Sequence, residues 1–276
     1  MEKTKDYMHI LSVQPFWKAK KINQQILLNP DTGSPLAVIY ELVSEKDAKS
    51  LHSVPGIGLL GLMFSLDQND SPAMLCGLLN QTKDVPLFGS THTLLCQFFP
   101  GQFTGTFGIP CQEVTDIEAP LEDFIHIGTI SDEIASAESF QQRIEIFSKF
   151  VKEWRNRTRS HASNNLVACL MKDAIKKHGI LKISQLEKET GYSARYLQRI
   201  VLESVGLAPK AALNNIRFQN ALRMILESPT MPLATVAQQC GYYDQSHFTK
   251  IFHEYTGMTP TTFVKQLHNT FWQEKS

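Results

Sequence analysis

Residues 183–267 carry one pattern twice, and a repeat of this length with matched Gly, apolar and Pro positions marks two copies of one supersecondary unit. Leu186, Gly191 and Tyr192 recur 50 residues later as Val236, Gly241 and Tyr242. The offset then becomes 51, so that Leu197, Arg199, Ile200 and Val201 match Phe248, Lys250, Ile251 and Phe252, while Gly206 and Pro209 match Gly257 and Pro260. One residue is therefore inserted in the second copy, around Tyr243 or Asp244. Each copy, beginning near Ile183 and near Leu233, reads as short helix, Gly turn, second helix and Gly stop. Gly191 and Gly241 supply the positive φ that a tight interhelical turn needs. Ser193 and Asp244 then stand as N-caps of the helices that follow.

Helical spacing sorts the second helix of each copy into two faces. Tyr196, Leu197, Ile200 and Val201 point inward in the first, and Phe248, Ile251 and Phe252 in the second. Arg195, Gln198 and Arg199 are left outward in one, and Gln245, His247 and Lys250 in the other, with Ser246 and Thr249 beside them. These are side chains that read base edges: Arg to guanine, Gln to adenine, Lys to guanine or phosphate. A merely solvated face is the plain alternative for any one amphipathic helix. Two such faces at equivalent positions of a repeated helix-turn-helix favour a DNA reader.

Residues 164–267 resemble the DNA-binding domain of AraC-type transcription regulators. The second copy carries Gly241, Tyr242, Asp244, Gln245, His247, Phe248, Lys250, Phe252, Gly257, Thr259, Pro260 and Phe263 where that family's signature expects them. The first contributes Gly191, Tyr192, Ser193, Leu197, Gln198, Arg199, Gly206 and Pro209, followed by Arg217 and Ala221. The resemblance implies two recognition helices held by one long connecting helix, each entering a successive major groove. Leu213, Ile216, Ala221, Met224 and Ile225 supply a buried stripe for that connector over residues 210–227. It further implies base contacts from Arg195, Gln198 and Arg199 and from Gln245, His247 and Lys250, with phosphate as the other role for His247. Glu187 departs from the family at a position usually small, Val201 and Leu202 replace a Phe and a basic residue, and Val264 replaces a frequent Arg. Weak DNA binding by the first copy is one consequence; the favoured one is a different packing, with Glu187 swung to solvent.

Charge is distributed to match. Residues 1–160 carry 14 basic and 19 acidic side chains, a net −5, and residues 161–276 carry 13 and 8, a net +5, so the basic part is the part expected to meet phosphate. Cys76, Cys96, Cys111, Cys169 and Cys240 show no metal-pair spacing, and an odd, scattered set fits reduced thiols in cytoplasm. No signal-like N-terminus or membrane-length apolar run is present.

The chain as a whole reads as α+β, with a mainly antiparallel β first half that includes helices and an all-α C-terminal domain that holds the two helix-turn-helix units. Between Ile22 and Ile109, short β-favouring runs at Leu36–Leu42, Gly58–Leu66, Ala73–Leu79 and Thr91–Phe99 are separated by turns at Asn29–Ser34, Asp67–Ser71 and Pro100–Gly105, the pattern of a small antiparallel barrel or sandwich. His52–Leu66 and Phe98–Phe124 resemble the sensor domain of a subset of AraC-type regulators, chiefly through Phe99, Pro100, Gly101, Phe103, Gly108, Pro110, Glu113, Thr115, Asp116, Pro120, Leu121, Glu122 and Asp123. That resemblance implies no particular ligand. A small-molecule pocket in the barrel is expected, with Phe16, Trp17, Tyr40, Phe64, Phe98, Phe99, Phe103 and Phe107 as aromatic surface or ordinary core. A helix over Ser139–Arg159 carries Phe140, Ile144, Phe147, Phe150, Val151 and Trp154 on one side, either against its own domain or in a dimer interface. Arg155–His161 then reads as a basic linker. An enzyme in this half would draw on His92, Cys96, Cys111 and His126, but no spacing supports a thiol nucleophile or a metal site.

The resulting expectation has three parts: a sensor domain over residues 1–130, a helical dimerisation or linker segment over 131–162 and a DNA-binding domain over 163–276. The expected activity is a bacterial, cytoplasmic transcription regulator, an activator by family expectation, with no catalytic residue, metal or cofactor. Its expected partners are promoter DNA, RNA polymerase, a small effector and a second copy of the chain, and no membrane. The rivals are an enzymatic N-terminal half joined to the same DNA-binding domain, and a regulator governed by a protein partner without a small ligand.

Overall fold

A run of apolar residues without polar alternation requires a strand covered on both faces, and Leu36–Leu42 is such a run. The computed structural model describes residues 21–43, 52–54, 59–67, 72–78, 83–85, 91–157 and 162–267. Phe16, Trp17, Gly58, Leu79, residues 68–71 of the turn expected at 67–71 and residues 158–161 of the linker expected at 155–161 lie outside them. The run forms β2 (Pro35–Val43), buried along almost its whole length. It lies in a six-stranded antiparallel sheet with β1 (Lys21–Leu28), β4 (Gly61–Ser65), β5 (Met74–Cys76), β7 (His92–Phe98) and β8 (Glu118–Pro120), in the order β1-β2-β7-β4-β5-β8. A separate ribbon pairs β3 (His52–Val54) with β6 (Lys83–Val85). The sheet is open, with β1 and β8 as its edges, and so is not closed into a barrel.

Period-two alternation assigns the faces. Ala37 and Ile39 of β2, with Leu94, Cys96 and Phe98 of β7 and Leu62 and Phe64 of β4, build one core; Val38, Tyr40 and Leu42 point into a second. The first core is closed by α1 (Gln102–Phe107), α2 (Ile130–Ser136) and α3 (Phe140–Arg157). Ile144, Phe147 and Val151 of α3 are buried there, with Phe147 edge-on to Phe64 and Phe98, so this part of the predicted stripe is used inside the chain. Three sequence expectations change. Strand β1 lacks an apolar run in the sequence because Asn23, Gln24 and Gln25 interrupt it, which an edge strand tolerates. The expected turn over Pro100–Gly105 instead runs into helix α1. The expected strand over Ala73–Leu79 is shortened to β5 because Gly77 leaves the β4 ladder and bonds the Ile117 carbonyl at 2.7 Å.

The second face of the sheet is covered from the C-terminal half. Helix α4 (Ala162–Lys176) supplies Ala174 and Ile175, and α7 (Pro209–Glu227) supplies Leu213 and Ile216, against Val38, Tyr40, Leu42, Leu59 and Phe99. The remaining helices are α5 (Ile183–Thr190), α6 (Ala194–Val205), α8 (Leu233–Gln239), α9 (Gln245–Thr256) and α10 (Pro260–Leu267). The end of α6 docks on the N-terminal half: a Cβ on Gly206 would stand 3.3 Å from both Cys111 and Leu78, and the Thr104 hydroxyl lies 3.3 Å from the Ser204 carbonyl. The two halves thus share a packed junction.

Candidate nucleic-acid interface

Two helix-turn-helix units stand at the expected places, α5 with α6 and α8 with α9. Gly191 closes α5 at φ +72° with its N–H on the Glu187 carbonyl, and Gly241 occupies the same left-handed conformation at φ +70°. Ser193 Oγ accepts from the Tyr196 N–H, and an Asp244 carboxylate oxygen accepts from the His247 N–H at 2.7 Å, so both predicted N-caps are formed. With Ser193 and Asp244 as equivalent caps, the inserted residue is Tyr243, which is 92% exposed in the second turn.

Each unit has its own core. Leu186, Leu197, Ile200, Val201 and Val205 pack with Val167, Leu170 and Met171 of α4 in the first. Val236, Phe248, Phe252 and Phe263 pack with Phe218, Ala221, Leu222 and Ile225 of α7 in the second. Helix α7 therefore belongs to both the domain junction and the second unit. Its Arg217 ties them together, donating to the Gly179 carbonyl at 3.1 Å and lying 5.8 Å over the Tyr242 ring. Ile180 fits against Gly241, at 3.3 Å from where a Cβ would be.

The expected reading faces are solvent-facing. Arg195, Gln198 and Arg199 are exposed on α6, as are Gln245, Ser246, His247 and Lys250 on α9; Thr249 is half-buried, its hydroxyl donating to the Gln245 carbonyl at 2.8 Å. Tyr196 and Ile251, expected inward, are only half-buried.

The description "Helix-turn-helix domain" belongs to a family model that matches residues 186–266. The Msm operon regulatory protein of Streptococcus mutans is 28% identical over 89 residues, 32% of this chain and 32% of that protein. The HTH-type transcriptional activator RhaS of Shigella boydii is 32% identical over 81 residues, 29% of this chain and 28% of that protein. The C-terminal domain is an AraC-type helix-turn-helix domain. The chain spans about a third of the length of the curated relatives it matches. Among solved structures, ToxT of Vibrio cholerae O395 aligns with a TM-score of 0.41 at 14% identity, over 91% of this chain and 100% of that one.

Within the AraC-type domain, Glu187 is the residue whose role the sequence misplaced. It was expected to swing to solvent, but its Oε1 accepts from the Ala194 N–H at 2.7 Å, at the start of α6. A carboxylate there satisfies an unpaired helix N–H and meets the positive end of the helix dipole. The unusual residue is thus an added cap. Glu187→Ala is expected to cost about 1 kcal/mol of stability, read by urea denaturation, and Glu187→Gln less than half of that.

The two histidines that an enzyme would draw on have separate carboxylate partners. His92 Nε2 lies 2.8 Å from Glu41 Oε1, and His126 Nδ1 lies 2.7 Å from Glu122. Burial pushes the Cys96 thiol well up and the Cys111 thiol up to about 11, opposite to the shift that activates a thiol nucleophile. Among the described residues, no group of three His, Cys, Asp or Glu side chains is placed to hold a metal ion.

Proposed function

We propose that the chain is a sequence-specific DNA-binding transcription regulator in which α6 and α9 each present a reading face to a major groove. The observation that carries this reading is the pair of capped second helices at equivalent positions of a duplicated unit, with Arg195, Gln198 and Arg199 exposed on one and Gln245, Ser246, His247 and Lys250 on the other. Arg and Gln match guanine and adenine edges, Lys matches guanine or phosphate, and Ser246 and Thr249 flank the second face. The net positive charge of residues 161–276 supplies the sequence-independent attraction. Selection of genomic fragments by the purified chain at physiological salt tests this. A motif of two half-elements about one helical turn apart is the expected outcome, and the absence of any enriched sequence counts against the reading. Arg199→Ala or Gln245→Ala should each weaken binding to the selected site by about 1–3 kcal/mol. Unchanged affinity in both variants would remove these faces from the interface.

The N-terminal half supplies control in this proposal. The aromatic residues considered for a pocket mostly fill the core: Tyr40, Phe64, Phe98, Phe103 and Phe107 are buried. A cavity of about 250 Å³ lies instead at the junction of the two halves, lined by Phe99 and Gln102 from one side, by Met171, Lys172 and Ile175 of α4 from the other, and by Arg155 of α3. A small effector seated there would touch both halves, and its preference for one docking arrangement would shift the DNA-binding domain accordingly. Ala168→Trp, placed in the lining, is expected to abolish any effector-dependent change in operator affinity while leaving basal binding in place. Activation is the sign of regulation proposed, in line with the name of RhaS and with RNA polymerase as partner. Among the described residues no helix is long and apolar enough to cross a membrane, and a cytoplasmic location belongs to the same proposal.

A further inference from the structure

The first unit carries an aromatic pair at the margin of its core, with Tyr196 half-buried against that core and Tyr192 exposed beside it. Leu197, Ile200 and Val201 fill that core. Tyr192, in the turn, is 45% exposed and stacks on Tyr196, in the first turn of α6, with ring centroids 4.7 Å apart and planes at 26°. On the same helical face, three residues on, the Arg199 guanidinium carbon lies 5.3 Å over the Tyr196 ring. The Tyr196 ring thus meets both the Tyr192 ring and the Arg199 guanidinium beside the reading face. In the second unit the matching places hold Tyr242, His247 and Lys250, and the arrangement differs. Tyr242 is turned into the core at 7% exposed, its ring meets His247 edge-on at 5.7 Å, and among the described residues no ring lies under Lys250.

An arginine that reads a guanine with two parallel hydrogen bonds must hold its planar fork in one orientation, and its long stem loses rotamer freedom in doing so. A ring face beneath the guanidinium meets part of that cost before DNA arrives, through cation–ring attraction and stacking. The competing partner is Glu203, one turn further on, at 3.9 Å from Arg199 in an exposed pair. Such a pair is weak and screened, so the ring is the stronger constraint on the guanidinium.

We propose that Tyr196, backed by Tyr192, is a positioning residue for Arg199 and thereby determines the base specificity of the first unit. This rests on the reading that Arg199 contacts a base edge. The test is site selection by the full-length chain and its variants, scored by base preference at each position as well as by affinity. Tyr196→Leu keeps an apolar side chain on the helix but removes the ring; it should lower guanine discrimination at one position of the first half-element by about three- to five-fold. Preferences in the second half-element should be unchanged, and Tyr196→Phe should retain the wild-type profile. Tyr192→Ala, which removes an exposed ring outside the core, should act in the same direction by about two-fold and decides the matter if Tyr196→Leu does not fold. Arg199→Ala separates the two levels of the argument. If it leaves the motif intact, the base-reading assignment fails and the proposal with it. If it alters the motif while Tyr196→Leu and Tyr192→Ala do not, the positioning role alone is overturned, as it is if Tyr196→Phe loses discrimination as fully as Leu.

Discussion

Replacing Arg143 by Ala should destabilise the protein by about 3 kcal/mol, at the lower end of the cost of breaking a buried ion pair from one side. Arg143, on α3, is 8% exposed, and its Nη1 donates to Glu41 Oε1 of β2 at 2.9 Å. Its Nη2 donates to the Ala137 carbonyl, at the C-cap of α2, so the guanidinium joins the sheet to the end of the helix before its own. Without it, Glu41 keeps the Asn23 amide at 2.8 Å and the His92 ring at 2.8 Å, which is why the lower end applies. Burial by itself raises the Glu41 pKa; the bonds from Asn23 and His92 and the charge of Arg143 outweigh it, and the carboxyl is held below its ordinary 4.5. A depressed carboxylate contributes stability above its unfolded pKa and loses it as pH falls through the folded value. The gap between wild type and Arg143→Ala in urea denaturation should therefore be widest near neutrality and narrow as pH falls below 4.5. A gap that stays constant down to pH ~3 would show that the charge on Glu41 is not what Arg143 meets.

Gly179→Ala should cost on the order of 3 kcal/mol and also uncouple the two helix-turn-helix units. Gly179 has φ +74°, and a Cβ there would stand 2.3 Å from the Leu213 carbonyl oxygen and 2.9 Å from the Arg217 nitrogen. Both are backbone atoms of α7, which cannot step aside. The left-handed conformation alone costs a non-Gly residue about 1–2 kcal/mol, and separation from α7 adds the hydrogen bond from Arg217 and the contact of Ile180 with Gly241. Gly191→Ala is the matched control, with φ +72° but nothing within 4 Å of the added atom, and should lose about 1–2 kcal/mol. In DNA binding, Gly179→Ala is expected to weaken a two-element operator more than a single half-element. Equal loss on both would mean that the contact serves stability alone.

The elements read most directly from sequence were those whose local signals and burial agree. The second helix of each unit is an example: a Ser or Asp cap, an apolar stripe and a Gly stop all lie within about fourteen residues, and all are formed. The buried strand β2 announced itself by an apolar run too dense for a surface strand. Strand β1 and helix α1 were missed because their signals are contextual. The first is held by one neighbour and tolerates Gln and Asn, and the second follows a Pro-Gly pair that by itself reads as a turn. Glu187 was legible as unusual but not as a cap, because its acceptor role depends on a backbone N–H seven residues away across the turn.

The duplicated unit, its caps and the residue types on each outward face were determined by sequence alone, since all of them follow from helical periodicity and short-range hydrogen bonding. Which strand neighbours which, the open form of the sheet, the docking of α4 and α7 on its second face, the junction cavity and the contacts of the Tyr196 ring with Tyr192 and Arg199 were decided only in the tertiary structure. The reason is physical. Apolar periodicity states that a face must be buried, but the partner that buries it is chosen by shape, by backbone approach at residues such as Gly179 and Gly206, and by long-range pairs such as Arg143 with Glu41, none of which leaves a local trace in the chain.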